Sequence, residues 1–237
     1  MTLPHIQTFR SLARMWQAEA AAAAKIERFD EASRYGLACM QLGNTLSRGG
    51  SMAHTLVGVA TGGIGVDSLS KTRGEFSAMQ VRALQAHLEQ IEQSREPAEA
   101  TLARDAVWED ETFGWLARFP YAMAKLTGQE YQSETDSVFR PCIARRDALL
   151  RLLRTDLALR LFRQDRGRFP DRLDELVPQY LAATPVDPFS DQPLVYRRGD
   201  GGFVLYSVGP DGTDDGGHFG TASDTYTAGF DLDLNDK

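Results

Sequence analysis

Apolar residues recur every three or four positions over most of the first 118 residues, a spacing typical of amphipathic helices. The first stripe runs into the alanine-rich segment Ala20–Ala24, which has strong helix propensity. Gly49-Gly50 and Pro120 are helix-stop signals, and Pro97 suits the first turn of a new helix. The pattern therefore predicts five helices, which span about residues 4–24, 29–46, 51–71, 77–95 and 97–118.

A polar segment at residues 127–137 follows this helical region and predicts a linker or loop. A stripe of leucines then predicts a long helix from about Val138 to Asp165, with Pro141 in its first turn, where proline is tolerated. We therefore expect two domains, an all-helical one over residues 1–137 and a second one over residues 138–237.

Two strands are predicted after the long helix, which ends at Gly167. A short helix is expected first, at residues 171–176. The segments Leu194–Tyr196 and Phe203–Tyr206 are rich in β-branched and aromatic residues, and a Gly-rich turn separates them. These elements predict an antiparallel hairpin and place the chain in the α+β class.

Composition narrows the classes of function. Hydrophobic residues make up 42% and charged residues 25% of the chain, as in soluble globular proteins. The net charge of -7 disfavours nucleic acid as a partner, because phosphate binding needs clustered Lys and Arg. An arginine-rich run at residues 140–163 is interleaved with Asp147 and Asp156, which favours a solvated helix face over an anion-binding face.

Other patterns argue against a membrane span and against catalysis. No stretch reaches the roughly 20 apolar residues of a membrane-spanning helix, and the N-terminus lacks the pattern of a signal peptide. Cys39 and Cys142 are far apart, which favours two thiols over a disulfide. The four histidines are scattered, and the chain has no Gly-x-Ser-x-Gly elbow. We therefore predict that the protein is not an enzyme.

The C-terminal segment is the strongest candidate for a site. Residues 207–237 hold seven aspartates, no glutamate and six glycines. Calcium prefers several oxygen ligands, and glycine lets the backbone turn so that carbonyl groups can join the carboxylates. Asp211–Gly216 matches the first half of an EF-hand loop, but Ala222 stands where that loop needs a bidentate carboxylate. The alternatives are therefore a calcium loop of another type and a solvated acidic tail.

Five short segments then occur in order between Leu157 and Gly216. They are 166–170 (Arg-Gly-Arg-Phe-Pro), 173–177 (Leu-Asp-Glu-Leu-Val), 187–189 (Asp-Pro-Phe), 194–196 (Leu-Val-Tyr) and 205–212 (Leu-Tyr-Ser-Val-Gly-Pro-Asp-Gly). In order and spacing they resemble the globular part of the major pseudopilin of type II secretion. The resemblance implies a long helix packed on a small antiparallel sheet. The expected fold is thus an all-helical domain followed by a pseudopilin-like α+β module.

The same resemblance implies a C-terminal loop that binds calcium through aspartates, a serine and backbone carbonyl groups. The matching positions are Ser207 and Asp211 at the start of the loop. Asp214 and Asp215 follow closely, and Asp231 is the alternative that would complete the ligand set. Calcium is accordingly the expected cofactor, with these five residues as its candidate ligands.

The resemblance implies a non-enzymatic, extracytoplasmic (periplasmic) protein with a structural or interaction role, a protein partner and a link to type II secretion. It leaves open a membrane anchor upstream of this chain. About 137 residues of helical sequence stand where a pseudopilin has a basic leader and an apolar helix, so filament assembly by the usual route is not implied. One alternative is a helical module that binds a peptide or protein in a groove lined by Trp16, Phe29 and Tyr35. A metal-dependent hydrolase is a third hypothesis.

Overall fold

The computed structural model of the chain describes residues 3–114, 134–220 and 229–235. These residues form mostly α-helices, together with one 3-10 helix and a two-stranded antiparallel sheet, which confirms the predicted α+β class. None of the described helices combines the length and the apolar content needed to cross a membrane. The elements are α1 (Leu3–Lys25), α2 (Phe29–Ser47), α3 (Met52–Thr72), α4 (Ala78–Gln93), α5 (Ala98–Phe113), α6 (Glu134–Arg166), the 3-10 helix (Leu173–Leu176), β1 (Val195–Arg198) and β2 (Phe203–Tyr206).

Helix ends follow local rules that were visible in the sequence. Ser77 caps α4 in a reciprocal capping box, since its N–H donates to Oε1 of Gln80 at 2.7 Å and its hydroxyl accepts from the N–H of Gln80 at 3.4 Å. Gly167 ends α6 in the left-handed region at φ +73°, and its N–H donates to the carbonyl of Arg163 at 2.8 Å.

Helices α2 and α3 lie against each other with almost no side chain between their backbones. A Cβ atom added to Gly43 or Gly58 would come within 3.0 Å of the carbonyl oxygen of the other glycine. The same holds for a Cβ atom on Gly65, which would meet the carbonyl of Gly36. Glycine is therefore required at these positions by close backbone approach.

Helix α6 lies at the centre of the molecule. It contacts α3 and α4 on one side, and β2 and the 3-10 helix on the other. Leu157, Ala158 and Leu159 are consecutive and all fully buried, although consecutive helical residues point in directions about 100° apart. One hydrophobic cluster joins α6 to residues of both predicted domains, among them Met40 and Leu232. The core thus runs across residue 137, and the division into two domains stays a prediction.

A buried charge also fixes α6 to α3. Asp156 is 4% exposed. Its Oδ1 accepts from Nε of Arg73 at 3.4 Å, and its Oδ2 accepts from Nε of Arg160 on the same helix. Both carboxylate oxygens therefore have a guanidinium partner, as a buried carboxylate requires.

The two predicted strands form the hairpin, with the first shifted to Val195–Arg198. Val195 pairs with Tyr206 and Arg198 with Phe203. Isolated bridges extend the layer beyond the hairpin, since Ser207 pairs with Leu232 in the C-terminal segment. Phe203 also stacks edge-on against Phe169 at a centroid distance of 4.8 Å, which packs the sheet against the segment that follows α6.

Two predictions need correction or limitation. Residues 134–137 belong to α6 and not to a linker, while residues 127–133 and the predicted end of α5 beyond Gly114 lie outside the described residues. Pro141 accordingly lies inside α6 and not in its first turn. Proline removes one helical hydrogen bond there, so the helical state of residues 134–137 is decided by more than local propensity.

Cys39 and Cys142 are not bonded to each other, and burial raises the pKa of the Cys39 thiol to about 11.

Candidate metal-binding loop

The loop after β2 begins at Ser207, whose side chain is completely buried. The Ser207 hydroxyl donates to Oδ1 of Asp187 at 2.9 Å, and its backbone N–H and carbonyl both pair with Leu232. Asp187 is also fully buried, and its Oδ1 and Oδ2 accept from the N–H groups of Phe189 and Val208 at 3.0 and 2.8 Å. The Asp-Pro-Phe turn is therefore fastened to the end of β2 by one carboxylate.

Asp231 closes the loop from its C-terminal side. It is 3% exposed, and its two oxygens accept from the N–H groups of Asp215 at 3.3 Å and Gly217 at 2.7 Å. Burial raises the pKa of Asp231, and the charges of Asp214 and Asp215 raise it further, while the two N–H donors act in the opposite direction. The buried carboxylate of Asp231 thus lies close to the carboxylates of Asp214 and Asp215.

Asp214 connects this turn to the sheet. Its Oδ1 accepts from the Tyr206 hydroxyl at 2.7 Å and from the N–H of Gly216 at 2.9 Å, and its Oδ2 faces Arg197 at 3.3 Å. These donors, the Tyr206 hydroxyl first, hold the pKa of Asp214 below its usual range. Burial and the bond to Asp214 raise the pKa of Tyr206 to about 12, so that the phenol remains a donor at neutral pH.

Asp211 fastens the loop at a second point. Its oxygens accept from the N–H groups of Thr213 at 3.0 Å and Gly229 at 2.7 Å, and these two donors lower the pKa of Asp211. Gly229 follows directly after residues 221–228, which lie outside the described residues together with Asp224 and Ala222. Asp211 therefore links the start of the loop to Gly229, the first residue of the last described range.

The four predicted aspartate ligands lie in the loop after β2 and in the described C-terminal segment that is hydrogen-bonded to it. Asp211, Asp214 and Asp215 are exposed, and Asp231 is buried beside them. The hydroxyl of Ser207 is directed at Asp187 instead. His218 is exposed, and the centroid of its ring lies 5.0 Å from that of Phe230.

Within the described ranges, no three His, Cys, Asp or Glu side chains are arranged so that they could hold a metal ion together. The reason is visible in the hydrogen bonds, since the carboxylates of Asp211, Asp214 and Asp231 are turned toward backbone N–H groups. A calcium site here would need backbone carbonyl ligands and a change of side-chain rotamer.

Sequence reasoning missed Asp187 and Tyr206 as parts of this site. Asp-Pro-Phe at 187–189 indicates a turn, which is correct, because Asp187 accepts from the N–H two residues later in a typical Asx-turn. Its other partners, Ser207 and Val208, are 20 and 21 residues away along the chain, and no local pattern points to them.

The residues of the alternative binding groove lie in the N-terminal helices. Phe29 packs against the hydrophobic core, and Trp16 and Tyr35 are half-buried. This places part of the aromatic surface inside the fold, and the groove itself stays a prediction.

Comparison of this chain with protein-family models, with curated proteins and with solved structures finds no match.

Proposed function

We propose that this protein is a non-enzymatic, extracytoplasmic interaction protein, linked to type II secretion, whose pseudopilin-like C-terminal module is stabilised by calcium. The proposal rests on the environment of Asp231. Its carboxylate is nearly fully buried, and the charges of Asp214 and Asp215 raise its pKa. A bound cation would offset this repulsion, which the N–H groups of Asp215 and Gly217 offset only in part.

The chemistry of the loop suits a hard cation. Carboxylates and backbone carbonyl groups are the ligands that calcium prefers, and it accepts flexible geometry. Asp211 and Asp214 are exposed. An ion would have to displace some of their hydrogen-bond donors, which for Asp214 include Tyr206 and Arg197 of the sheet. Extracellular modules of this kind bind calcium with Kd values of about 0.1 to 1 mM.

The burial of the leucines of α6 within this chain supports an interaction role rather than filament assembly. Leu150, Leu153 and Leu157 are fully buried within this chain by the packing of α3 and α4 on one side and β2 on the other. These three leucines therefore form no exposed apolar stripe that other copies could contact. Partner contacts are therefore assigned to the outer surface of the module.

The calcium part of the proposal is tested by thermal unfolding of the full chain in EGTA and in 1 mM calcium. With a Kd on the order of 0.1 mM, calcium stabilises the protein by about 1.4 kcal/mol, which raises Tm by about 3 °C for a chain of this size. Asp211→Ala is expected to abolish the rise. Asp200→Ala, an exposed aspartate in the hairpin turn, is the matched control and should keep it.

An unchanged Tm in calcium, or an equal rise in the Asp211→Ala and Asp200→Ala variants, would contradict a calcium site in this loop. Magnesium at the same concentration separates calcium binding from general charge screening, because magnesium demands a tighter octahedral site. The cellular part is tested by cross-linking the full-length protein in cells. Recovery with cytoplasmic partners alone contradicts the extracytoplasmic role.

A further inference from the structure

A cavity of about 180 Å³ lies between α2, α3, the end of α4 and the first part of α6. It is separate from the C-terminal loop. Its walls are partly apolar, and they include Met40, Val66 and Leu149. An engineered cavity of about 150 Å³ binds benzene, so this one has room for a ligand of that size with one polar group.

Three arginines, Arg95, Arg145 and Arg146, line one side of the cavity. The side chains of Arg95 and Arg146 are each only 12% exposed. This part of the arginine-rich run is therefore not a solvated helix face. Buried guanidinium groups need acceptors, and each carries five N–H donors.

Arg95 and Arg146 have one acceptor in common. Arg95 and Arg146 both donate to the same oxygen of Asp147, Oδ1, at 2.7 and 2.8 Å. Glu92, one turn before Arg95, forms ion pairs with Arg151 and Arg154. The guanidinium groups of Arg95 and Arg146 thus share a single carboxylate oxygen.

The pKa of Arg95 is lowered by its burial and by the positive charge of Arg146. Burial, followed by the charge of Arg146, lowers the pKa of Arg95 to about 10, and the attraction of Asp147 and Glu92 does not offset these effects. Arg95 still carries its charge at neutral pH. A further anion in the cavity would therefore be favoured by both arginines.

The opposite wall is made by Gly62 and Gly63 of α3. A Cβ atom added to either residue would meet no atom within 4 Å, in contrast to the tightly packed Gly58 and Gly65. Glycine inside a helix costs about 0.5 to 1 kcal/mol relative to alanine. Close packing therefore does not explain these two glycines. Because they have no side chains, they leave the cavity open.

We propose that this cavity binds a small organic carboxylate. The carboxylate lies beside the guanidinium groups of Arg95 and Arg146, whose planar fork suits two parallel hydrogen bonds. The apolar body of the ligand lies against Gly62 and Gly63. The apolar walls favour an organic acid over an inorganic anion, which would leave them without a contact.

The probes are benzoate, hexanoate, benzyl alcohol and inorganic phosphate, measured by calorimetry with the full chain at constant ionic strength. Benzoate or hexanoate is expected to bind with a Kd of about 1 mM or lower, which is within reach of a ligand of this size. Benzyl alcohol should bind at least about tenfold more weakly, because it offers no charge to the arginines.

Two variants remove the site in different ways. Gly63→Leu fills the cavity without meeting a neighbour at its Cβ, and Arg146→Gln removes one guanidinium. Each should weaken benzoate binding about tenfold or more. Arg166→Gln is the matched control, since Arg166 is exposed on the same helix and lies outside the lining of this cavity, and it should leave benzoate affinity unchanged. Circular dichroism checks that all three variants are folded.

The proposal is overturned if neither acid binds at about 10 mM, ten times the expected Kd. It is equally overturned if folded Gly63→Leu and Arg146→Gln both bind benzoate as the natural chain does. Phosphate binding as tight as benzoate binding would assign the cavity to inorganic anions and reject an organic carboxylate.

Discussion

The contact between α2 and α3 and the loop after β2 bring backbone segments together in opposite ways. In the helix pair, Gly43 and Gly58 allow the approach because they have no side chain. In the loop, the carboxylates of Asp187 and Asp231 cause the approach, since each accepts hydrogen bonds from distant backbone N–H groups. One region depends on the absence of side chains and the other on charged ones.

This difference determines how each region responds to its surroundings. Backbone contact between apolar helices involves no titratable group, so it should be insensitive to acid and to cations. The loop contains three aspartates, Asp211, Asp214 and Asp231, whose pKa values are shifted in the folded protein, so it should respond to both. We therefore expect the stability of the helical core to be independent of pH and cations, and that of the C-terminal segment to depend on both.

The largest expected effect is that of Gly58→Ala. The new methyl group would lie within 3.0 Å of the carbonyl oxygen of Gly43 and of the hydroxyl of Ser47, so the helices must separate. Overpacking of this kind costs about 3 kcal/mol of unfolding free energy. Urea unfolding followed by circular dichroism measures the loss. The loss should be the same at pH 5 and pH 7, because no titratable group takes part.

Gly62→Ala is the matched control, because it lies one turn further along the same helix in open space. Here the higher helix propensity of alanine should stabilise the protein by about 0.5 to 1 kcal/mol. Equal effects of the two substitutions would show that close approach at Gly58 is not what holds α2 and α3 together.

The next largest effect is expected for Asp187→Asn. The amide keeps the shape of the carboxylate but replaces one acceptor by a donor, so that one of the N–H groups of Phe189 and Val208 or the Ser207 hydroxyl loses its partner. Leaving a buried donor unpaired costs about 2 kcal/mol. Asp200→Asn, in the exposed hairpin turn, should cost less than about 0.5 kcal/mol in the same urea experiment. A loss at Asp187 as small as that would mean that the turn is held by packing alone.

Most of the secondary structure could be predicted because it depends on local chemistry. The stripes of α1 to α4, the stop at Gly167 and the two strands of the hairpin all appear within a few residues of their predicted places. The start of α6 could not be predicted in this way. Pro141 indicates a helix start nearby, whereas α6 begins at Glu134, within a polar segment that the sequence pattern marks as a loop.

The candidate site could be located but not assembled from the sequence. The density of aspartates and glycines points to residues 207–237, and the structure places Asp211, Asp214, Asp215 and Asp231 in one segment there. That Asp231 is buried, and that Asp187 reaches the end of β2 across 20 residues, depends on how the chain returns to the sheet. The same limit applies to the arginine-rich run, whose periodicity does not reveal that Arg146 faces a cavity.

The smallest expected effect concerns the pH dependence of the loop and is tested with Asp211→Asn. The N–H groups of Thr213 and Gly229 lower the pKa of Asp211 in the folded protein. Its ionised form therefore stabilises the fold above the unfolded pKa near 4, and this contribution is lost as the pH falls through the lower folded pKa. Asp231 has the opposite sign, because its raised pKa favours the protonated form in the fold.

Comparing Asp211→Asn with the natural chain isolates one contribution, since Asp231 titrates in both proteins. Asp211 is exposed, so solvent screening limits its effect to about 0.5 kcal/mol at pH 7. Urea unfolding between pH 7 and pH 2 should show this difference shrinking below about pH 4. The gap between Asp200→Asn and the natural chain should stay small throughout. A constant difference for Asp211→Asn down to pH 2 would mean that its carboxylate acts through shape rather than charge, and that the loop is no more sensitive to acid than the α2–α3 contact.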